Sequence, residues 1–143
     1  MNEEIGIKGK LKIELIRDGK IIQTEKVNNI IVTTGKSLVA LLVAGSGTAF
    51  SHMAIGTDST TEVVGDTALT AEVGRVTLTS KATTNNVIDY IGDFPAGTGT
   101  GTIVEAGILN AASSGTMLNR ATFSSVNKTA SDALKITWSV TLG

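Results

Sequence analysis

Thr34-Gly35-Lys36-Ser37 stands where a strand is expected to run into a helix, and it ends like a phosphate-binding loop. Such a loop also needs a glycine five residues before Gly35, so that backbone N–H groups can curl round the phosphate; that position holds Ile30. The segment therefore reads as a helix N-terminus carrying a basic residue. Gly97, Gly99 and Gly101 alternate with threonine. A dinucleotide loop would join a strand to a long helix, but here residues 102–109 read as a strand. The stretch reads as a mobile loop, placed where a contact formed on assembly could order it. His52 lies near Asp58, Glu62 and Asp66 in the sequence. These acids do not follow the alternate-position oxygen pattern of a calcium loop, and one histidine without cysteine makes no typical zinc site. His52 reads as a surface or interface residue. No catalytic residue, metal or cofactor is expected.

The remaining charges read as structural pairs or as one face. Glu72 and Arg75 are three apart, and Arg120 is available to Glu105. The basic residues concentrate in Lys8, Lys10, Lys12, Lys20 and Lys26. They occupy alternate positions of one predicted hairpin and so form one charged face. Such a face either protects a sheet edge or docks on an acidic surface. No aromatic residues interleave with the lysines, which argues against stacking on single-stranded nucleic acid.

The elements that must position these residues are mostly strands. Ile7, Leu11, Ile13 and Leu15 alternate with Lys8, Lys10, Lys12 and Glu14, a period of two. Asp18-Gly19 then predicts a tight turn, with the return strand over 20–27. Asn28-Asn29 breaks it, and a short third strand is expected over 30–33. Residues 35–44 predict a short helix, apolar on most of its surface, capped by Thr33 or Thr34 and ended by Gly45. A helix of that kind should be buried, against a sheet or a subunit. Its Leu38, Leu41 and Leu42, with the five hairpin lysines, are the candidate contact surface. Further strands are expected over 50–56, 75–83, 87–94, 102–109, 117–126 and 134–142. A polar loop spans 57–65, and Asp66 could cap a helical turn through Glu72. Regularly spaced short strands predict a mainly β fold, an antiparallel β-sandwich or barrel-like domain with an N-terminal hairpin and one or two short helices. The chain reads as a single domain, 1–143, in which 1–45 could form a sub-layer distinct from a sandwich over 50–143.

Composition bounds the rest. The 143 residues include 21 Thr, 16 Gly and 11 Ser, but no Cys and one His. That inventory excludes a disulfide scaffold, a cysteine nucleophile and a multi-histidine metal site. Twelve basic against 13 acidic residues give a formal charge of −1, without the field that a nucleic-acid binder carries. The longest apolar run, Leu38 to Ala44, is far short of the ~20 residues of a membrane helix. The acidic start, Met1-Asn2-Glu3-Glu4, is unlike a secretory signal, so synthesis and assembly in a cytoplasm are expected.

Several segments together resemble a recurring module of tailed-bacteriophage virion proteins. They are Met53-Ala54-Ile55-Gly56-Thr57; Asp66-Thr67-Ala68-Leu69 with Glu72 and Arg75; and residues 104–111, Val-Glu-Ala-Gly-Ile-Leu-Asn-Ala. Gly115-Thr116-Met117-Leu118 with Arg120 and Phe123, and Asp132 through Trp138, continue the pattern, as does the hairpin from Lys10 to Asn29 followed by Ile31 to Gly35. The resemblance implies a non-enzymatic virion component and carries over no catalytic residue. Modules of this kind occur in head-accessory, tail-fibre and baseplate proteins. The chain shows no shaft, repeat or heptad to project a fibre tip, and has few aromatics for a sugar platform. The resemblance therefore implies first a capsid decoration protein, bound to the major capsid protein across subunit junctions and often trimeric. The alternative is a tail-fibre or baseplate accessory protein involved in host attachment.

Overall fold

The computed structural model describes residues 6–143. The hairpin strands β1 (Ile7–Arg17) and β2 (Lys20–Asn28) turn at Asp18 and Gly19, both with positive φ. That is the backbone a two-residue hairpin demands. Then come β3 (Ile30–Ile31), the helix α1 (Thr33–Val43), β4 (His52–Gly56), β5 (Glu72–Thr77), β6 (Ser80–Thr84) and β7 (Val87–Phe94). The chain ends with β8 (Gly101–Leu109), β9 (Met117–Lys128) and β10 (Ala133–Leu142). Sheet A has the order β2-β1-β10-β7-β6, and sheet B the order β3-β9-β8-β4-β5, both antiparallel. Two separate sheets make this a sandwich and not a closed barrel.

Alternation fills the space between the sheets. Leu11 and Ile13 of β1, Ile136 and Trp138 of β10, and Met53, Ile55, Ile103 and Ile108 of sheet B meet in one core. Each such side chain, fully buried, contributes about 1.5–3 kcal/mol. A polar line crosses this core. Trp138 Nε1 donates to Asn29 Oδ1 (2.5 Å), Asn119 Nδ2 donates to the same oxygen (3.3 Å), and Asn119 Oδ1 accepts Ile108 N–H (3.1 Å). Asn29, read as a breaker, is thus the crossover from sheet A to sheet B and ties the two together. The layer expected over 1–45 begins in residues 1–5, which lie outside the described residues, and its described part is divided between the sheets: β1 pairs with β2 and β10 in sheet A, while β3 pairs with β9.

Three local expectations are corrected. Residues 66–72 form no helical turn, because Thr70 and Ala71 give their N–H groups to Glu105 (2.9 and 2.8 Å) instead of to helical carbonyls. The strand expected over 75–83 is two strands in different sheets: β5 leaves sheet B at Thr77, and Thr79 N–H reaches Ile91 O (2.8 Å) as β6 joins sheet A. The 97–101 stretch is seated, with Gly99 buried and at φ +75°. A Cβ on Gly99 would lie 2.4 Å from Ile55 Cδ1, and one on Gly74 would lie 2.8 Å from Gly99 Cα.

The helix ends as expected and packs otherwise. Gly45 N–H bonds to Leu42 O (3.1 Å) and Ser46 N–H to Leu41 O (2.8 Å), with Gly45 at φ +83°. This is the Schellman arrangement, in which a left-handed residue closes the last carbonyls. At its start neither Thr33 nor Thr34 caps: the N-cap residue is Val32, without a side-chain bond. Gly35 and Leu38 are its buried residues, whereas Leu41 is 50% and Val43 81% exposed. The expected all-round burial fails because the helix meets β9 and the core through Gly35, Leu38, Val39 and Leu42 and leaves Leu41 and Val43 outside.

Candidate functional site

The outer faces of the two sheets differ. That of sheet B is covered by its own 57–71 strap. Leu69 closes a small cluster there with Val32, Ala54, Leu109 and Met117. The strap is pinned by a fully buried ion pair, Arg120 Nε to Glu105 Oε1 at 3.0 Å. Glu105 also accepts the N–H groups of Asp58, Thr70 and Ala71, and Arg120 donates to Thr60 O (2.8 Å) and Asp66 Oδ2 (3.2 Å). Glu72 and Arg75 pair at 2.6 Å, and Arg75 also bonds to the carbonyls of Ala111 and Ser114. Both pairings read from the sequence are present, the second on a strand and not on a helix. Their chemistry is saturated: each partner is spent on holding chain.

Among the described residues, the outer face of sheet A carries no such cover. Register builds a small grid there. Lys10 stands between Asn28 on β2 and Ser139 on β10, and Lys12 stands between Lys26 and Thr137. These six side chains line an open groove of about 430 Å³ with no carboxylate among its lining residues. Lys12 directly faces Lys26 across the strands, an arrangement that repels unless an anion lies between them. Glu14, one step along β1, lies 3.7 Å from Lys12 Nζ and faces Lys135. Two further acids of this face, Asp89 and Asp93, sit on β7, and Asp89 accepts the Ser139 hydroxyl. The face is therefore divided, basic over β2 and β1 and acidic over β7.

Of the five predicted lysines, Lys8, Lys10, Lys12 and Lys26 share this face; Lys20 does not. An irregularity between Leu15 and Ile16 leaves Ile22 unpaired, so Lys20 falls opposite Arg17 with the core-facing parity, at the hairpin tip. Edge protection explains a lysine on β2. It does not explain Lys10 and Lys12, because there β1 is flanked on both sides; Lys8 is paired only with β10.

The helix side of the candidate surface is also redistributed. Leu38 is in the core, at 6% exposure, and is not available to a partner. Leu42 lines an apolar groove of about 240 Å³ with Val39, Val43, Ile7, Tyr90 and Leu142. Leu41 stands exposed beside it, and the lining residue Val43, which periodicity did not single out, is exposed too. The Gly-Lys-Ser segment serves packing: a Cβ on Gly35 would lie 2.4 Å from Leu118 O, so its glycine lets the helix touch β9. Thr33 N–H is already bonded to Val64 O (2.8 Å).

His52 is half-buried. Ser51 Oγ lies 2.8 Å from its Nδ1 and Thr77 Oγ1 3.4 Å from its Nε2. A serine–histidine pair with a hydroxyl in place of an orienting acid is not a relay that activates a nucleophile. Among the described residues no group of three acids, histidines or cysteines is placed to hold a metal. Elsewhere, structure perturbs ionisable groups, Asp132 and Lys128 among them. The Arg17 guanidinium, bonded to both oxygens of Asp132 at 2.8 Å, holds that carboxyl well below the usual range, helped by Thr129 N–H. Burial pushes the Lys128 ammonium down; it donates to Pro95 O at 3.0 Å. No helix among the described residues is long and apolar enough to cross a membrane. Against this geometry, no family model matches the chain, and neither a curated protein nor a solved structure matches it significantly.

Proposed function

We propose that this chain is a non-enzymatic structural protein of a tailed-bacteriophage virion: a capsid decoration protein that cements the outer shell across capsid subunit junctions. One observation carries the docking part of this reading, the Lys10–Lys12–Lys26 grid on β1 and the neighbouring edge strand β2 of sheet A, uncovered among the described residues. A rigid sandwich whose second sheet is sealed by its own strap offers this face to an acidic surface, and charge complementarity directs the approach. Many copies on a shell turn a modest contact into firm attachment. The virion assignment itself rests on the sequence resemblance.

The test is labelled electron microscopy of intact virions, with copy number from the same preparation. Label spread over the head in hundreds of copies is the expected result. Label at the tail tip in a few copies would replace the shell by a baseplate or fibre neighbour. Purified protein should also bind expanded capsids and raise their resistance to heat. The double variant Lys10→Glu/Lys12→Glu should lose that binding at least tenfold with its circular dichroism unchanged.

A further inference from the structure

Among the described residues the sandwich has four strand edges, and three carry a device against pairing with another chain. The edge of sheet A at β2 carries Lys20, Glu25 and Lys26 and is bent by the irregularity at Ile22. The edge of sheet B at β3 is two residues long, and where β9 runs on past it, Gln23 of β2 takes up the carbonyl of Ser125 (3.1 Å). The edge at β5 is interrupted between Ile55 and Gly56 of its neighbour, which leaves Val73 unpaired, and it carries Glu72 and Arg75. The fourth edge, β6, has none. Its register on β7 is unbroken from Ser80 to Thr84. Its one charge, Lys81, is tied inward by the bond from Nζ to Phe50 O at 2.9 Å. Lys81 to Thr84 are all exposed.

We propose that β6 pairs antiparallel with β6 of a second copy about a two-fold axis through Ala82. The hydrogen-bond phase fits. The two-residue turn at Asn85-Asn86 makes Thr84 and Val87 a hydrogen-bonded pair, so Thr84, Ala82 and Ser80 spend their N–H and C=O groups on β7. Lys81 and Thr83 aim theirs outward, and no described backbone group bonds to them from that side. Centring the contact on Ala82 sets Lys81 opposite Thr83 of the second copy, and Thr83 opposite its Lys81. These are the residues whose free groups must meet. Ala82 then faces itself as a non-hydrogen-bonded pair, where Cα atoms approach to about 4.5 Å. No charge faces a like charge, and the outward side chains are small: Ser80, Ala82 and Thr84. This self-complementarity selects a second copy over an unrelated strand.

The axis stands perpendicular to the sheet, so the two A sheets join edge to edge with their outer faces on the same side. Both lysine grids then point the same way, a bivalent surface. The pairing stands independently of what that surface meets.

The absence of cysteine makes the test direct. Sedimentation equilibrium of the full chain should show the mass rising with concentration from 14.7 kDa towards twice that value. Ala82→Lys, which sets two ammonium groups face to face at an exposed site, should abolish the rise with circular dichroism and melting unchanged. Ala82→Cys should form a disulfide-linked dimer on oxidation at least tenfold faster than Thr24→Cys, an exposed site on β2. Wild-type protein that stays monomeric to about 1 mM overturns the proposal. So does an oligomer that Ala82→Lys leaves intact, or Ala82→Cys cross-linking no faster than Thr24→Cys.

Discussion

Glu105 and Arg120 show how much one buried pair can hold. The carboxylate gathers three backbone N–H groups from two ends of the strap, and the guanidinium satisfies its remaining oxygen demand while reaching Thr60 and Asp66. Removing one partner of such a pair leaves the other charged and dry. Arg120→Met should therefore cost about 3–5 kcal/mol in urea unfolding, with the strap becoming the first site of proteolysis. Asp132 makes a different prediction. Its folded pKa lies below the unfolded value, so the stability it contributes is present above about pH 3.9 and is lost as pH falls below that. Arg17→Gln removes the largest cause of the depression and should move the midpoint of acid unfolding to higher pH, as followed by the fluorescence of Trp138.

At the scale of elements, glycines decide where segments touch. Gly35 is the case in which two effects oppose. Alanine in a helix is favoured over glycine by about 1 kcal/mol. Here the added methyl would meet the Leu118 backbone, with its carbonyl oxygen at 2.4 Å and Cα at 2.7 Å, and backbone cannot swing aside like a side chain. Overpacking of this kind costs about 1–3 kcal/mol, so Gly35→Ala should lower stability despite its better propensity, as read from the urea midpoint at constant slope. The same glycine, in the sequence, looked like part of a phosphate loop. Its role in packing depends on Leu118 of β9, which is 83 residues away and invisible to a local pattern.

For the whole molecule, the two outer faces divide the work. The 57–71 strap seals sheet B, and the lysines of β1 and β2 leave sheet A charged on one half. An exposed grid of this kind acts through the solvent, so its contribution to docking should weaken as salt shortens the screening length from about 10 Å at 0.1 M to about 3 Å at 1 M. Binding to expanded capsids, measured across that range, should fall steeply for the wild type and stay flat for Lys10→Glu/Lys12→Glu. A salt-independent affinity would assign docking to the apolar groove beside the helix instead.

Much of the architecture was legible because strands announce themselves locally. Alternation of apolar and polar residues, the Asp18-Gly19 turn and the Asn85-Asn86 turn located the first hairpin, β7, β8 and β10 within a residue or so, and Gly45 marked the helix end. Charge complementarity alone suggested Glu105 with Arg120. What the tertiary structure decided was everything that depends on which strand lies beside which. Period two says that Lys10 and Lys12 share a face; only pairing places β1 between β2 and β10 and sets Lys26 opposite Lys12. One unpaired residue, Ile22, reversed the side on which Lys20 falls. A single apolar helix can be buried or exposed according to how much of it a neighbour covers, and this one is covered along the line of Gly35 and Leu38. Periodicity is a property of a segment, whereas register, edges and cover are properties of pairs of segments distant in the chain.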